Sequence, residues 1–106
     1  MNIVILTGRL VHDVEIVELE NDKCKALITV AVQREFKNPK NDTYETDFIK
    51  ATLWQGIARN VSMYCKRGDM INLRGRIVMD RHTCSDEKAF NYPEIIAERV
   101  TFLTSK

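Results

Sequence analysis

The chain has 106 residues, of which 44% are hydrophobic and 29% charged, and its formal net charge is +1. This length allows one domain around one modest core, and so small a charge favours no class of partner. No apolar run approaches the roughly 20 residues of a membrane-spanning helix, and residues 1–4 do not resemble the start of a signal peptide.

The charged residues are unevenly distributed along the chain. Residues 13–22 contain five acids and no base, whereas residues 54–106 carry nine Lys or Arg against six Asp or Glu. Any basic surface must therefore be local. Three cysteines, Cys24, Cys65 and Cys84, cannot all pair and have no C-x-x-C spacing. We therefore expect free thiols in a reducing, cytoplasmic setting.

Runs of β-branched and alternating residues predict strands in the first half of the chain. Glycine, proline and the Asn-Asp pairs separate these runs. The predicted segments, in order, are a strand over 3–11 with Gly8 at a bulge or bend, a weak continuation over 15–20, a turn at Asn21-Asp22, a strand over 26–33 and a polar loop over 37–42.

The third strand, 44–54, carries the most distinctive pattern. A period of two gives this strand two faces. The first is a plain core face with Ile49, Ala51 and Leu53. The second is a mixed face with Phe48, Lys50, Thr52 and Trp54. Two aromatic rings beside a lysine and a threonine are poor core chemistry. We therefore expect the mixed face to serve a ligand.

After Gly56 the apolar period changes to that of a helix. The predicted apolar stripe comprises Ile57, Val61, Tyr64 and Cys65. Lys66 and Arg67 suit the negative end of a helix dipole, and Gly68 suits a C-terminal cap.

Two further strands follow the helix. The fourth, 70–79, alternates between two faces, which comprise Ile71, Leu73, Ile77 and Met79 on one side and Asn72, Arg74, Arg76 and Val78 on the other. We expect residues 80–93 to be irregular, because Pro93 delays pairing. The fifth strand, 94–103, is predicted to place three apolar residues in phase, namely Ile96, Val100 and Phe102.

This order of elements predicts an all-β protein with one domain over residues 1–106. Five strands with one helix between strands 3 and 4 are the arrangement of the five-stranded oligonucleotide-binding (OB-fold) barrel. An SH3-like barrel or a small sandwich would leave the helix unexplained. In OB folds, strands 2 and 3 and the loops after strands 1 and 4 form the usual ligand face.

No residue pattern supports catalysis. His12 and Asp13 are neighbours at a strand end and point to opposite faces. His82 and Cys84 offer two metal ligands, without a second pair at zinc-site spacing. The sequence has no G-x-S-x-G, no P-loop and no convincing carboxylate pair. We therefore expect a protein that is not an enzyme and that uses neither a cofactor nor a metal.

Nucleic-acid binding fits the residues better. Single strands are held by aromatic rings that stack on bases and by cations that follow the phosphates, a combination that tolerates any sequence. Four features supply it: the face of Phe48, Lys50, Thr52 and Trp54, the pair Arg34 and Phe36, the pair Arg74 and Arg76, and the pair Arg81 and His82. The alternatives are that Phe48 and Trp54 pack against a partner subunit, that Phe36 caps the barrel, and that Arg74 and Arg76 are ordinary solvated residues.

Motifs along nearly the whole chain, at compatible spacing, point to one family. They include Asn2-Ile-Val-Ile-Leu-Thr-Gly8-Arg9-Leu10, Ile28-Thr-Val-Ala-Val-Gln-Arg34-Glu-Phe36, Glu45-Thr-Asp47-Phe48-Ile49, Lys66-Arg-Gly68-Asp69 and Leu73-Arg-Gly75-Arg76. With these motifs the chain resembles the bacterial and phage single-stranded DNA-binding protein (SSB) family.

The resemblance implies a non-catalytic protein that coats single-stranded DNA in replication, recombination and repair. It favours a homotetramer, with a dimer as the alternative. The family's stacking aromatics correspond to Phe36, Phe48 and Trp54, and its basic contact corresponds to Lys50. His82 stands where the family has a fourth aromatic, so we expect the 80–92 loop to bind less well than the strand face.

The sequence ends at Thr104-Ser-Lys106, without the acidic tip by which the family recruits other proteins, so we expect no recruitment by that route. Two other functions stay open. One is a primosomal adaptor similar to primosomal replication protein N, which would be a dimer. The other is an interaction module whose aromatic face binds protein. RNA binding also stays open, because stacking does not distinguish the 2′-hydroxyl group.

Overall fold

The computed structural model describes residues 1–83 and 89–103, with only the backbone described at 80–83 and 89–91. Within these ranges the chain forms strands, a single-turn 3₁₀ helix at Glu20–Asp22 and one α-helix. In chain order the elements are β1 (Val4–Leu10), β2 (Val17–Glu18), β3 (Cys24–Asn38), β4 (Thr43–Trp54), α1 (Gln55–Tyr64), β5 (Met70–Thr83) and β6 (Ala89–Phe102).

The five longer strands close into a barrel. β1 pairs antiparallel with β5 and then, at Arg9 and Leu10, with β3. β3 pairs with β4 and β5 with β6, both antiparallel. A parallel contact between Thr52 of β4 and Ile96 of β6 completes the ring. The prediction of a five-stranded OB-type barrel with one helix between the third and fourth long strands is confirmed, and β2 is a two-residue addition beside β3.

Alternate residues of the strands fill the barrel. The largest side chains without solvent exposure are Ile28, Leu53, Ile71, Leu73, Val30, Val61 and Cys24. Those in β4 and in the first half of β5 follow the period of two that the sequence predicted, and those in β3 alternate in the same way. Among the described residues, no helix has the length and apolar character needed for a membrane crossing.

The helix buries a narrower face than predicted. Ala58, Val61 and Cys65 are buried, whereas Tyr64 is 57% exposed and contacts the ring of Phe102. Tyr64 lies about 100° around the helix from Cys65, which puts it beyond the buried stripe. Its predicted place in the core was wrong.

The helix also ends without the predicted glycine cap. Its last backbone bond is the one that the N–H of Cys65 donates to the carbonyl of Val61, and the chain leaves in an extended conformation at Cys65. Gly68 does have a left-handed backbone, with φ at +92°. It lies in the turn before β5, where its N–H donates to the carbonyl of Leu10. The glycine therefore shapes that turn instead of the helix end.

Two hairpins are longer than the sequence predicted. β3 continues to Asn38, so the loop expected over 37–42 shortens to a turn after that residue. β5 and β6 pair as far as Thr83 and Ala89, so the irregular segment expected over 80–93 was wrong at 80–83 and 89–93. Residues 84–88 of that prediction lie outside the described residues. Pro93 pairs opposite Met79. A strand tolerates a proline at a position where the N–H that proline lacks would point to a free edge.

A bulge in β6 changes which residues face the core. Arg74 pairs with Arg99 and Gly75 with Ala97, which leaves Glu98 as an extra residue. The inward apolar residues are consequently Ile95, Ala97 and Val100. The prediction that Ile96, Val100 and Phe102 lie in phase was therefore wrong for Ile96 and Phe102.

The second half of β5 leaves the barrel. Ile77 is 41% and Met79 61% exposed, although both were predicted to share the core face of Ile71 and Leu73. Beyond Gly75 β5 no longer pairs with β1, and among the described strands it pairs only with β6, so this segment is not closed into the barrel.

Gly8 and Gly75 allow the main chains of the barrel to approach closely. A Cβ at Gly8 would collide with the carbonyl of Ala31, and one at Gly75 with the carbonyl of Ile96. Gly8 keeps a continuous register opposite Ile71, so its role is this close approach and not a bulge.

Replacing Gly75 with alanine should destabilise the fold by about 1–3 kcal/mol, because the colliding atoms belong to the main chain and cannot rotate away. Gly56→Ala is the matched control, since a Cβ there meets nothing within 4 Å. It should be neutral or stabilising by up to about 1 kcal/mol. Urea unfolding at fixed protein concentration measures both. Equal stability of Gly75→Ala and the wild type would contradict the close approach.

Candidate nucleic-acid interface

The outward side of β3 and β4 forms one continuous surface. Alternate residues of the two strands lie opposite each other there, as the cross-strand pairs Lys25–Trp54, Leu27–Thr52, Thr29–Lys50 and Ala31–Phe48. We call these eight residues the β3–β4 face. Phe48 is 65%, Leu27 55% and Trp54 37% exposed. Apolar and aromatic surface is therefore open to solvent beside two lysines.

Trp54 is positioned at the corner where β4 becomes α1. Gln55 has a left-handed backbone, with φ at +50°, and its side-chain Oε1 accepts a hydrogen bond from the N–H of Cys24. These two features fix the corner against β3. The Nζ of Lys25 lies 5.7 Å from the centre of the Trp54 ring, within reach of a cation–π interaction. One side of the indole is therefore covered by a cation.

A cavity of about 690 Å³ opens beside Trp54 on this face. Its lining residues come from β2, β3, β4 and β6 and are Val17, Lys25, Leu27, Lys50, Thr52, Tyr92, Pro93 and Glu94. That volume is in the range of cavities that hold small-molecule groups.

Thr52 differs from its predicted neighbours on the mixed face. It is only 5% exposed, because β6 runs beside β4 at this point. Its hydroxyl donates to Oε2 of Glu94 at 3.3 Å. Thr52 is thus a buried anchor under the cavity and not an exposed contact.

Among the cavity residues that sequence reasoning missed are Lys25, Leu27, Tyr92 and Glu94. The first two could have been found, because they alternate outward along β3 in the same way as the mixed face of β4. Tyr92 was hidden in the segment expected to be irregular. Glu94 was assigned to a strand, but nothing in its local sequence places it beside Thr52.

Phe36 lies on the hairpin arm that β3 and β4 form beyond the barrel. It is 83% exposed, and the register between the two strands shifts between Gln33 and Lys37. Tyr44, also unnoticed in the sequence, is 48% exposed on the same arm, and Lys37 Nζ lies 5.6 Å from its ring centre. The arm therefore carries two exposed aromatic residues, of which Tyr44 has a lysine beside its ring.

Arg34 is held by two carboxylates. Its Nε and one terminal nitrogen donate to the two oxygens of Asp47, each at 3.0 Å, and the other terminal nitrogen lies 3.1 Å from Glu45. The hydrogen bond from Arg34, with its charge, holds the pKa of the Asp47 carboxyl below its ordinary value. The same hydrogen bond raises the pKa of Arg34. Arg34 is exposed but already satisfied.

The structure places Arg74 and Arg76 away from the β3–β4 face, with β6 lying between β5 and β4. Arg74 lines a shallow depression with Ile5, Asn72, Arg99 and Thr101. Arg76 donates to Glu98 at 3.0 Å. The backbone of His82 pairs with Phe90 in the hairpin arm, and its side chain lies outside the described residues.

No group of three or more His, Cys, Asp or Glu residues in the described ranges is arranged to hold a metal ion. Cys24 and Cys65 are buried free thiols. Cys84, which was considered as a ligand beside His82, lies outside the described residues.

The Asp47 carboxyl should titrate below its ordinary pKa of 3.8, as measured by its side-chain carbon shift in NMR. Because the folded pKa is lowered, the pair contributes stability above pH 3.8 that is lost as pH falls through the folded value. Arg34→Ala should return the Asp47 pKa to near its ordinary value. Arg59→Ala, which breaks a separate exposed pair with Glu18, should leave it unchanged. A shift of equal size in both variants would contradict the assignment.

Comparison with known proteins identifies the family. The model of the "Single-strand binding protein family" matches residues 1–103. "Single-stranded DNA-binding protein 3" of Listeria innocua is 38% identical over 106 residues, which are all of this chain and 66% of that protein. The "Single-stranded DNA-binding protein" of Bacillus cereus is 37% identical over 103 residues, 97% of this chain and 60% of that protein.

A shorter relative matches along most of its own length. "Single-stranded DNA-binding protein B" of Bacillus subtilis strain 168 is 31% identical over 105 residues, 99% of this chain and 92% of that protein. The chain thus spans less than two thirds of the first two relatives and nearly all of the third. With a family match over 1–103 and the barrel described above, the chain belongs to the single-strand binding protein family.

Proposed function

We propose that this protein binds single-stranded DNA with little sequence preference, through the β3–β4 face, and does so without catalysis. The observation that carries the proposal is that Phe48 and Trp54 are exposed on one strand of that face, with Lys25 and Lys50 beside them. Membership of the family supports it, since the relatives are named as single-stranded DNA-binding proteins.

The exposure of apolar side chains on the β3–β4 face has a cost in free energy. An exposed phenylalanine and leucine on a barrel face forgo the free energy of burial, which a binding partner restores. Base–aromatic stacking contributes about 1–3 kcal/mol per base, a range that comes from single-strand-binding OB folds themselves. Because every base has a π-face, stacking tolerates any sequence, while lysines neutralise the phosphates.

Phe48 and Trp54 of β4 serve different nucleotides. Phe48 and Trp54 are six positions apart in an extended strand, which separates their Cα atoms by about 20 Å. A single strand that lies along β4 therefore meets one ring near each end and Lys50 between them. On the hairpin arm, Tyr44 continues the outward alternation of β4, and Phe36 adds a further exposed aromatic ring.

By this proposal the protein coats exposed DNA during replication, recombination and repair in the cytoplasm, as a homo-oligomer with the tetramer favoured. The free thiols of Cys24 and Cys65 are consistent with a reducing compartment. Arg74, Arg76 and His82 remain proposed DNA contacts of lower weight than Phe36, Phe48, Lys50 and Trp54. Mass measurement of the free and DNA-bound protein separates a tetramer from the dimer of a primosomal adaptor.

Phe48→Ala should weaken binding of oligo-dT about 5- to 150-fold, which corresponds to the loss of one stacked base. Phe102→Ala is the matched control, because Phe102 is 42% exposed but packs against Tyr64 beside the helix. Its affinity should stay near that of the wild type. Fluorescence of Trp54, the single tryptophan, reports binding by quenching. An unchanged signal at saturating DNA, together with no retention in filter binding, would refute the proposal.

Asp47→Asn removes the charge of one of the two carboxylates on Arg34 and leaves Glu45 in place, so part of the arginine's charge should become available to a phosphate. Affinity at low salt should rise, and the log–log dependence of affinity on salt should steepen by up to about 0.7, the value for one phosphate contact on a single strand. Combining Asp47→Asn with Arg34→Ala separates this effect from a change in net charge. If the double variant keeps the gain, Arg34 is not the group released.

A further inference from the structure

We propose that Glu94 is a base-discriminating residue, which favours a base that bears an exocyclic amino group over thymine. The inference rests on the proposed binding of single-stranded DNA and adds a modest base preference to it. Its basis is the cavity that joins the β3–β4 face to β6, where a carboxylate lies among lysines and an aromatic ring.

The cationic and anionic side chains that line the cavity come from different strands. Lys25 and Lys50 line it from β3 and β4, whereas Glu94 lines it from β6 together with Tyr92. A carboxylate on a surface that binds a polyanion is unfavourable unless it contacts something other than phosphate. The two lysines are the groups that suit a phosphate, and Glu94 suits the N–H edge of a base.

Glu94 is also held in place. Thr52 is 5% exposed, and its hydroxyl donates to Oε2 of Glu94 at 3.3 Å. Thr52 is the one hydrogen-bond donor that the described residues give to Glu94. Within the described residues Oε1 receives no side-chain hydrogen bond and can accept one from a ligand, and the buried threonine limits the rotation of the carboxylate.

The acceptor chemistry gives the direction of the preference. A carboxylate accepts from an amino group, as glutamate and aspartate do from N4 of cytosine. Thymine presents a carbonyl oxygen at the equivalent position, which a carboxylate repels. Cytosine and thymine are both pyrimidines, so a comparison of the two tests the edge of the base while ring size stays the same.

Glu94→Gln tests this assignment directly. An amide accepts from cytosine through its oxygen and donates to thymine through its nitrogen, so the variant loses the discrimination while the fold is kept. The ratio of the dissociation constants for oligo-dT and oligo-dC of equal length should fall about two- to tenfold relative to the wild type, the effect of one hydrogen bond. Dividing the variant's ratio by the wild-type ratio removes the intrinsic difference between the two oligonucleotides.

Glu98→Gln is the matched control. It removes the same charge from the same strand, but Glu98 pairs with Arg76 and does not line the cavity. Both variants should bind all DNA slightly more tightly through the lost charge, whereas only Glu94→Gln should change the ratio. Thr52→Val, which removes the hydroxyl that holds Glu94, should lower the ratio in the same direction.

The outcomes separate this inference from the proposed function. If the wild type binds neither oligonucleotide, the binding of single-stranded DNA is refuted and the base preference with it. If the wild type and Glu94→Gln bind both with the same ratio, binding stands and the base preference is refuted. If Glu94→Gln and Glu98→Gln change the ratio equally, the effect is one of net charge and Glu94 has no discriminating role.

Discussion

The barrel depends on one short strand that pairs with two neighbours. β1 follows β5 from Val4 to Arg9 and then passes to β3 at Arg9 and Leu10. Because Gly8 has no side chain, the main chain of β3 approaches closely enough for this second pairing. Closure seals one face of every barrel strand into the core. The outward side of β3 and β4 is then left as a rigid, solvent-facing surface.

The sequence was informative wherever a strand stays within the barrel. Alternation identified the buried residues of β4 and the first half of β5, because one side of each faces the closed core. It failed at Ile77 and Met79, since a two-stranded arm buries neither side and apolar periodicity no longer reports burial. It failed again in β6, where the bulge at Glu98 arises from pairing with β5 and not from local composition.

The residues of the candidate site also differ in whether the sequence alone could identify them. Phe48, Lys50 and Trp54 follow from the parity of a single strand, so the sequence alone identified them. Lys25 and Leu27 required the register between two strands. The two carboxylates on Arg34 and the approach of Glu94 to Thr52 required tertiary structure, because their partners are distant in the chain or on another strand. The sequence alone therefore does not show whether the charge of an arginine is available to a phosphate.

The corner at Gln55 links the interior of the barrel to its binding surface. Its side chain holds the N–H of Cys24, whose side chain is buried, while the next residue of β3, Lys25, lies against the Trp54 ring. Trp54 is thus anchored by Gln55 and Cys24, which are not part of the β3–β4 face. In a genetic screen, loss-of-function alleles should consequently arise at Gln55 and Cys24, although neither residue belongs to the surface that meets the ligand.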